Sequence, residues 1–310
     1  MKTLREQVAL YITLRRELGC KFDSQARCLR NLVAFMNERG ESFLSNRLTL
    51  EWAATPVQVK LSTRSFRLQT ARGFARHCHA NDPRHEVPQH GLLPMGSRRA
   101  QPYLYSDQEV HALMQAARTD SERSEHSRET YYCLIGLLSV SGLRINEALN
   151  FKRQDADLDT GILTIRRAKF GKTRYVALHP STCAMLASYA RCRDERPNSQ
   201  GCDHFFVGDR GKRLYSSTTA ETFARLSRHI GLRGPDDSTG PRLHDFRHRF
   251  AVQTLLNWYR RGEDVQRLLP VLTTYLGHSY VRHTYWYLSA CPELMDHAAQ
   301  RLDALWEARP

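Results

Sequence analysis

A small set of polar side chains that only a folded chain can gather constrains this sequence most. In chain order they are Arg144 in Ser141-Gly142-Leu143-Arg144, His244 and Arg247 in His244-Asp245-Phe246-Arg247-His248, His278 in Leu276-Gly277-His278, and Tyr287 nine residues later. Singly each has an ordinary explanation, because arginines are usually surface residues and a tyrosine in Tyr285-Trp286-Tyr287-Leu288 is usually packing. Together they supply what attack on a DNA phosphate by a protein hydroxyl requires. The pentacoordinate transition state spreads negative charge over its non-bridging oxygens, and planar, always-protonated guanidinium groups such as those of Arg144 and Arg247 can donate to them in pairs. A phenol helped by a nearby base suits a reversible nucleophile. Tyr287 is the candidate, with Tyr275, Tyr280 and Tyr285 as competitors. His244 and Arg247 lie three apart after Pro241, on one face of what reads as the first turn of a helix, and a helix N-terminus favours an anion. Asp245 and His248 read as structural, with His248, one turn past His244, a secondary candidate.

The order of these motifs resembles the tyrosine recombinase (phage integrase) family over about residues 106–287, where the sequence of types is Arg, Lys, His-x-x-Arg, His, Tyr. In that family a lysine on a β-hairpin turn protonates the departing 5′ oxygen. Here Gly161-Ile162-Leu163-Thr164-Ile165 and Arg174-Tyr175-Val176-Ala177-Leu178 read as strands around Ala168-Lys169-Phe170-Gly171-Lys172-Thr173. Lys169 is the better match and Lys172 the second. The resemblance implies that His244 handles the tyrosine proton, that His278 donates to the phosphate and that both arginines bind its oxygens. It also implies a mainly α fold with a small β-sheet or hairpin, in which an N-terminal helical core-binding domain precedes an α+β catalytic domain.

The activity so implied is site-specific recombination of double-stranded DNA through a 3′-phosphotyrosine intermediate, by a homotetramer on DNA, with companion recombinases or directionality factors as further partners. No cofactor, metal or ATP is expected, because the arginines perform the charge neutralisation that a divalent ion performs elsewhere. The strap from Leu92-Leu93-Pro94 to Pro102-Tyr103-Leu104-Tyr105 looks like that of transposon-type members. One departure is a longer segment between Arg247 and Leu276, read as lengthening a helix and its turn. Two other classes compete, the first with the same tyrosine chemistry and the second disfavoured by the intact set of Arg144, Lys169, His244, Arg247, His278 and Tyr287. A type IB topoisomerase would relax an arbitrary plasmid as a monomer, and a non-cleaving DNA-binding partner would bind without forming an adduct.

Charge agrees with a polyanionic partner: the formal net charge is +14 over 310 residues. Residues 1–90 hold fifteen Lys or Arg against eight Asp or Glu, a net of +7, so the shorter part is the more densely positive. They read as a helical DNA-binding domain, residues 91–105 as a linker carrying Arg98 and Arg99, and residues 106–310 as a catalytic domain. Ser106-Asp107-Gln108-Glu109 is a capping box that opens the second domain. In the first domain Lys60, Arg64, Arg67, Arg72 and Arg76 recur at spacings of three to five, interleaved with Phe66, Leu68 and Phe74. That pattern reads as a face for the DNA backbone, against the ordinary alternative of a solvated face over a core stripe. At the other end Leu294, Ala298, Leu302 and Leu305 make one apolar stripe of a helix over 292–308, expected to cap its own core or to dock on a neighbouring protomer.

No run of eighteen apolar residues occurs, and the first residues lack the apolar core of a signal peptide, so a cytoplasmic protein without membrane contact is expected. Eight scattered cysteines without a Cys-x-x-Cys pair read as reduced thiols. In His77-Cys78-His79 adjacent helical residues point to different faces, which argues against a metal site.

Overall fold

Apolar residues at helical spacing build both halves of the chain. The computed structural model describes residues 2–55, 58–93, 101–166, 173–278, 280–288, 293–296 and 299. The chain divides into two compact units, Met1–Ala100 and Gln101–Pro310.

The first unit is helical: α1 (Leu4–Glu17), α2 (Asp23–Glu38), α3 (Asn46–Ala54) and α4 (Leu61–His79). Thr3 and Glu6 form a capping box that starts α1. The Leu29, Leu32, Val33 and Met36 stripe of α2 is buried in one cluster with Leu48 and Trp52 of α3 and Leu68 and Phe74 of α4. The Trp52 indole N–H donates to Asn31 Oδ1 at 2.9 Å, so the polar edge of this buried ring is satisfied.

The arginines of α4 divide by environment. Lys60 and Arg76 are exposed, and Arg64 and Arg67 are half-buried. Arg67 lies 4.7 Å over the Trp52 ring and donates to Asn31 Oδ1 and the Thr55 carbonyl. Arg72 turns inward: it is 8% exposed and donates to the carbonyls of Pro88 at 2.7 Å and Gln89 at 2.6 Å. It therefore fastens the segment after α4 onto that helix. Arg98 and Arg99 lie outside the described residues.

The first helix of the second unit, α5 (Asp107–Thr119), opens at the Ser106 and Glu109 capping box. The central α6 (Glu125–Ser141) is apolar on most sides and buried along Cys133, Leu134, Ile135, Leu137 and Leu138. After the short α7 (Ile145–Asn150) come three antiparallel strands in the order β1 (Ala156–Asp157), β2 (Ile162–Ile165) and β3 (Arg174–Ala177). The β2–β3 pairing runs from Ile162 opposite Ala177 to Ile165 opposite Arg174. The alternation in sequence announces β2 and β3. It does not announce β1, which is two residues long. Helices α8 (Pro180–Asp194), α9 (Ser216–His229), α10 (Asp245–Arg260), α11 (Val265–Leu276) and α12 (Arg282–Leu288) complete the unit.

One core gathers α5, α6, the sheet and an aromatic group in which Phe151 stacks on Phe205 at 4.8 Å, with Phe206 edge-on. A second joins Leu255 and Leu256 of α10, Leu269, Leu272 and Leu276 of α11, and Tyr287 and Leu294. The long segment after Arg247 extends α10 to Arg260 and starts α11 where the Asp264 carboxylate accepts from the Gln266 and Arg267 amides. The mainly helical fold with one small sheet is the expected one. Of the expected C-terminal helix only 293–296 and 299 are described. Among the described residues no helix is long and apolar enough to cross a membrane.

Arg72→Ala leaves the buried Pro88 carbonyl and the part-buried Gln89 carbonyl without their donor and should lower stability by about 1–3 kcal/mol in denaturant titrations of the full chain. Lys60→Ala, at an exposed position, should stay within about 0.5 kcal/mol of wild type.

Candidate active site

Two helix C-termini meet at the site. Helices α6 and α11 each end on a glycine in the left-handed region, Gly142 at φ 59° and Gly277 at φ 66°. A helix end leaves its last carbonyls without intrahelical partners. Arginines take them up. Arg247, in the first turn of α10 and 1% exposed, donates from one guanidinium nitrogen to Gly142 O at 2.7 Å and from the other to Leu276 O at 2.6 Å. Arg144 precedes α7 and donates to Gly277 O at 3.0 Å and to Glu147 Oε1 at 2.7 Å. Gly142 must be glycine for space as well as for φ, because a Cβ there would lie 2.6 Å from the Phe250 ring. A guanidinium has five N–H groups, so arginines held in this way keep donors for an anion.

Glu147 and Arg174 brace the pair. Arg174, at the start of β3, meets both Glu147 oxygens at 3.0 and 2.7 Å and donates from Nε to Tyr275 O at 2.8 Å. Burial alone would raise the Glu147 pKa, but the hydrogen bonds and charges of Arg174 and Arg144 outweigh it and hold the carboxyl at about 2. Arg174 thus ties the edge of the β2–β3 hairpin to the Arg144 turn and to the end of α11. Sequence reading missed both residues. The available signal was a carboxylate three positions after Arg144, which helical spacing places beside it.

The imidazoles and the phenol complete the site. His244 stands at the N-terminus of α10, immediately before its first residue, and makes no side-chain capping bond. Burial, reinforced by the adjacent Arg247 charge, pushes its pKa down, so the neutral, proton-accepting ring is favoured. Its ring centroid is 5.0 Å from that of His248, which in turn is 5.3 Å from Tyr287. Tyr287, on α12, is 2% exposed and stacks on His278 at 6.0 Å. Burial and the nearby Arg144 push the Arg247 pKa down to about 10, opposed by the Tyr287 phenol, and the guanidinium remains a cation at neutral pH. His278 Nδ1 lies 2.9 Å from Thr284 Oγ1, which lies 2.9 Å from Thr273 Oγ1. These two threonines were also missed, because a buried hydroxyl pair leaves no periodic mark in the sequence.

The fold therefore gathers Arg144, His244, Arg247, His278 and Tyr287. Lys169 and Lys172 lie outside the described residues. Among the rival tyrosines, Tyr280 and Tyr285 are exposed. Tyr275 stacks on Phe250 at 5.4 Å, and burial pushes its phenol up to about 12.

Paired guanidinium groups, an imidazole whose neutral form burial favours and a buried phenol, on a mainly helical scaffold, can together hold an anion, accept a proton and offer a nucleophile. The model of the phage integrase family matches residues 103–293. A Sinorhizobium fredii protein named as integrase/recombinase y4rB is 46% identical over the whole of both chains. The chain belongs to the phage integrase family of tyrosine recombinases. The fold is shared with the Tn1549 transposon integrase solved in complex with transposon right end DNA, at a TM-score of 0.69 and 14% identity, covering 98% of this chain and 99% of that one. It is also shared with the XerH site-specific recombinase bound to a palindromic difH substrate in a post-cleavage complex, at 0.67 and 19%, covering 92% and 79%.

Removing Glu147 takes the carboxylate from two part-buried arginines. Glu147→Ala should cost about 3–5 kcal/mol in denaturant unfolding. Because its folded pKa is depressed, the stabilisation from Glu147 is present above about pH 4.5 and is lost as pH falls toward about 2. Unfolding midpoints of Glu147→Gln should therefore fall less steeply than those of wild type across that window.

Proposed function

We propose that this protein cleaves and rejoins double-stranded DNA at specific sites through a covalent 3′-phosphotyrosine at Tyr287, in the movement of a mobile element. The observation that carries this reading is the convergence of Arg144 and Arg247 on the ends of α6 and α11, beside His244, His278 and the buried phenol. In the reaction the Tyr287 oxygen attacks phosphorus and its proton passes to His244. The two arginines and His278 donate to the non-bridging oxygens as charge builds there. The 5′ oxygen leaves with a proton from Lys169. Attack by the 5′ hydroxyl of a partner strand reverses these steps and restores the phosphodiester, so bond energy is conserved. The chemistry uses neither a metal nor ATP, since the guanidinium groups carry the neutralisation.

Exchange between two duplexes needs four such sites, which makes a homotetramer on DNA the working form, with companion recombinases or directionality factors setting the outcome. The first unit supplies backbone contacts through Lys60, Arg64, Arg67 and Arg76, joined by Arg98, Arg99 and Lys172. Names among the relatives and structural neighbours support both parts of the reading: integrase/recombinase for one, transposon integrase and site-specific recombinase, each bound to DNA, for the others.

The test is incubation of wild type and Tyr287→Phe with nicked duplexes tiled across the DNA flanking the gene, followed by a denaturing gel. Wild type alone should give a slowly migrating adduct at a discrete position, with binding on a native gel near wild type for both. Specific binding without an adduct from wild type would sink the cleavage reading in favour of a non-cleaving partner. Adduct formation should also fall at acid pH, with a midpoint below 6.5, because the His244 pKa is depressed and only its neutral ring accepts the phenol proton. Arg76→Ala should weaken binding evenly across sequences and lower the salt slope by about one.

A further inference from the structure

We infer that Thr273 and Thr284 form a hydroxyl relay that fixes the protonation of His278, placing a hydrogen on Nδ1 and so making donation from Nε2 depend on the cationic ring. The logic is a count of protons. Thr273 Oγ1 lies 2.8 Å from Leu269 O, a carbonyl that only accepts, so the Thr273 proton points there. Thr273 Oγ1 and Thr284 Oγ1 are 2.9 Å apart, and with the first proton engaged Thr284 must donate to Thr273. Thr284 Oγ1 is also 2.9 Å from His278 Nδ1 and has no second proton, so Nδ1 carries the hydrogen and Thr284 accepts it. Both hydroxyls are buried, Thr284 fully, so water is not at hand to substitute for a missing partner.

The consequence falls on the substrate. A neutral ring with hydrogen on Nδ1 has its lone pair on Nε2, which accepts rather than donates. On the reading given under Proposed function, in which His278 donates to the phosphate, that donation then requires imidazolium. Among the described residues, the groups near this ring include Arg144 at the Gly277 carbonyl, Arg247 at the Leu276 carbonyl, Arg174 at the Tyr275 carbonyl with Glu147 between Arg144 and Arg174, and the rings of His283 and Tyr287, each 6.0 Å away. None of them changes when the relay is cut, so a comparison of relay variants isolates the tautomer. Thr273 and Thr284 are positioning residues: they act through His278 and touch no reacting atom.

Two variants cut the relay at different links. Thr284→Val keeps the buried shape and removes the acceptor of the Nδ1 hydrogen. Thr273→Val removes the acceptor of the Thr284 proton and leaves Thr284 to donate to Nδ1 instead. Thr284→Ser keeps the hydroxyl and should restore wild-type behaviour. The direct measurement is long-range ¹H–¹⁵N correlation of the histidine rings in the full-length, DNA-free protein above the imidazole titration, with His278→Gln for assignment. Wild type and Thr284→Ser should show hydrogen on Nδ1 of His278, and both valine variants should shift it to Nε2. Hydrogen on Nε2 in wild type, or an unchanged pattern in both valine variants, would overturn the relay.

The functional measurement is the pH profile of adduct formation. Wild type should lose about tenfold per pH unit above the His278 titration. The valine variants, able to donate from a neutral ring, should lose less than about threefold over the same unit. Superimposed profiles would overturn the dependence of donation on the relay. The spectra need no DNA, so a correct tautomer with no adduct at any pH would support the relay and count against the cleavage reading instead.

Discussion

Arg247 holds the site together by joining the carbonyl ends of two helices. Both ends carry partial negative charge, and a guanidinium buried between them answers the unpaired carbonyls of α6 and α11 at once. The nature of the partners matters. A buried cation neutralised by a carboxylate would offer an incoming phosphate little charge, whereas Arg247 is satisfied by neutral carbonyl dipoles and keeps its full positive charge. Arg174 shows the contrast, since Glu147 accepts from it at both oxygens and its role is to brace. Arg144 stands between the two, sharing Glu147 and donating to Gly277 O.

From that clamp the positions of the other groups follow. The left-handed turn at Gly142 ends α6 and delivers Arg144 two residues later, while the turn at Gly277 ends α11 and delivers His278 directly. Helix α10 carries His244 at its cap and Arg247 in its first turn. Helix α12 packs Tyr287 into the core formed by α10 and α11, so the phenol rests against the rings of His278 and His248. Burial then has two chemical effects: it lowers the His244 pKa, which favours the neutral ring, and it strengthens the electrostatic interactions of the charges it encloses.

Much of this was legible in the sequence, and the reasons differ by residue. Helices α2, α5 and α6 announce themselves through apolar spacing, capping residues and the glycine that ends α6. The proposed site residues could be singled out because the phosphoryl chemistry proposed for them admits few side-chain types and because their order resembles one family. Glu147, Arg174, Thr273 and Thr284 were not readable, since their roles depend on contacts between elements far apart in sequence. Arg72 teaches the same point from the other direction: its spacing along α4 matches Arg76, yet the segment at Pro88 and Gln89 covers it and turns a surface pattern into a buried tie. A stripe of charge reports periodicity alone, and only the fold decides which members of it reach solvent.

The most direct measurement is mass mapping of the nucleotide remnant after nuclease and trypsin digestion of protein trapped on a nicked duplex. Trypsin leaves Tyr285 and Tyr287 on one peptide, so fragmentation must assign the modified ring. The account predicts the added mass on Tyr287, the phenol enclosed by His248, His278 and the Arg247 charge. Added mass on Tyr285, Tyr280 or Tyr275 would contradict it, because those rings lie on the surface or against Phe250, away from the clamp.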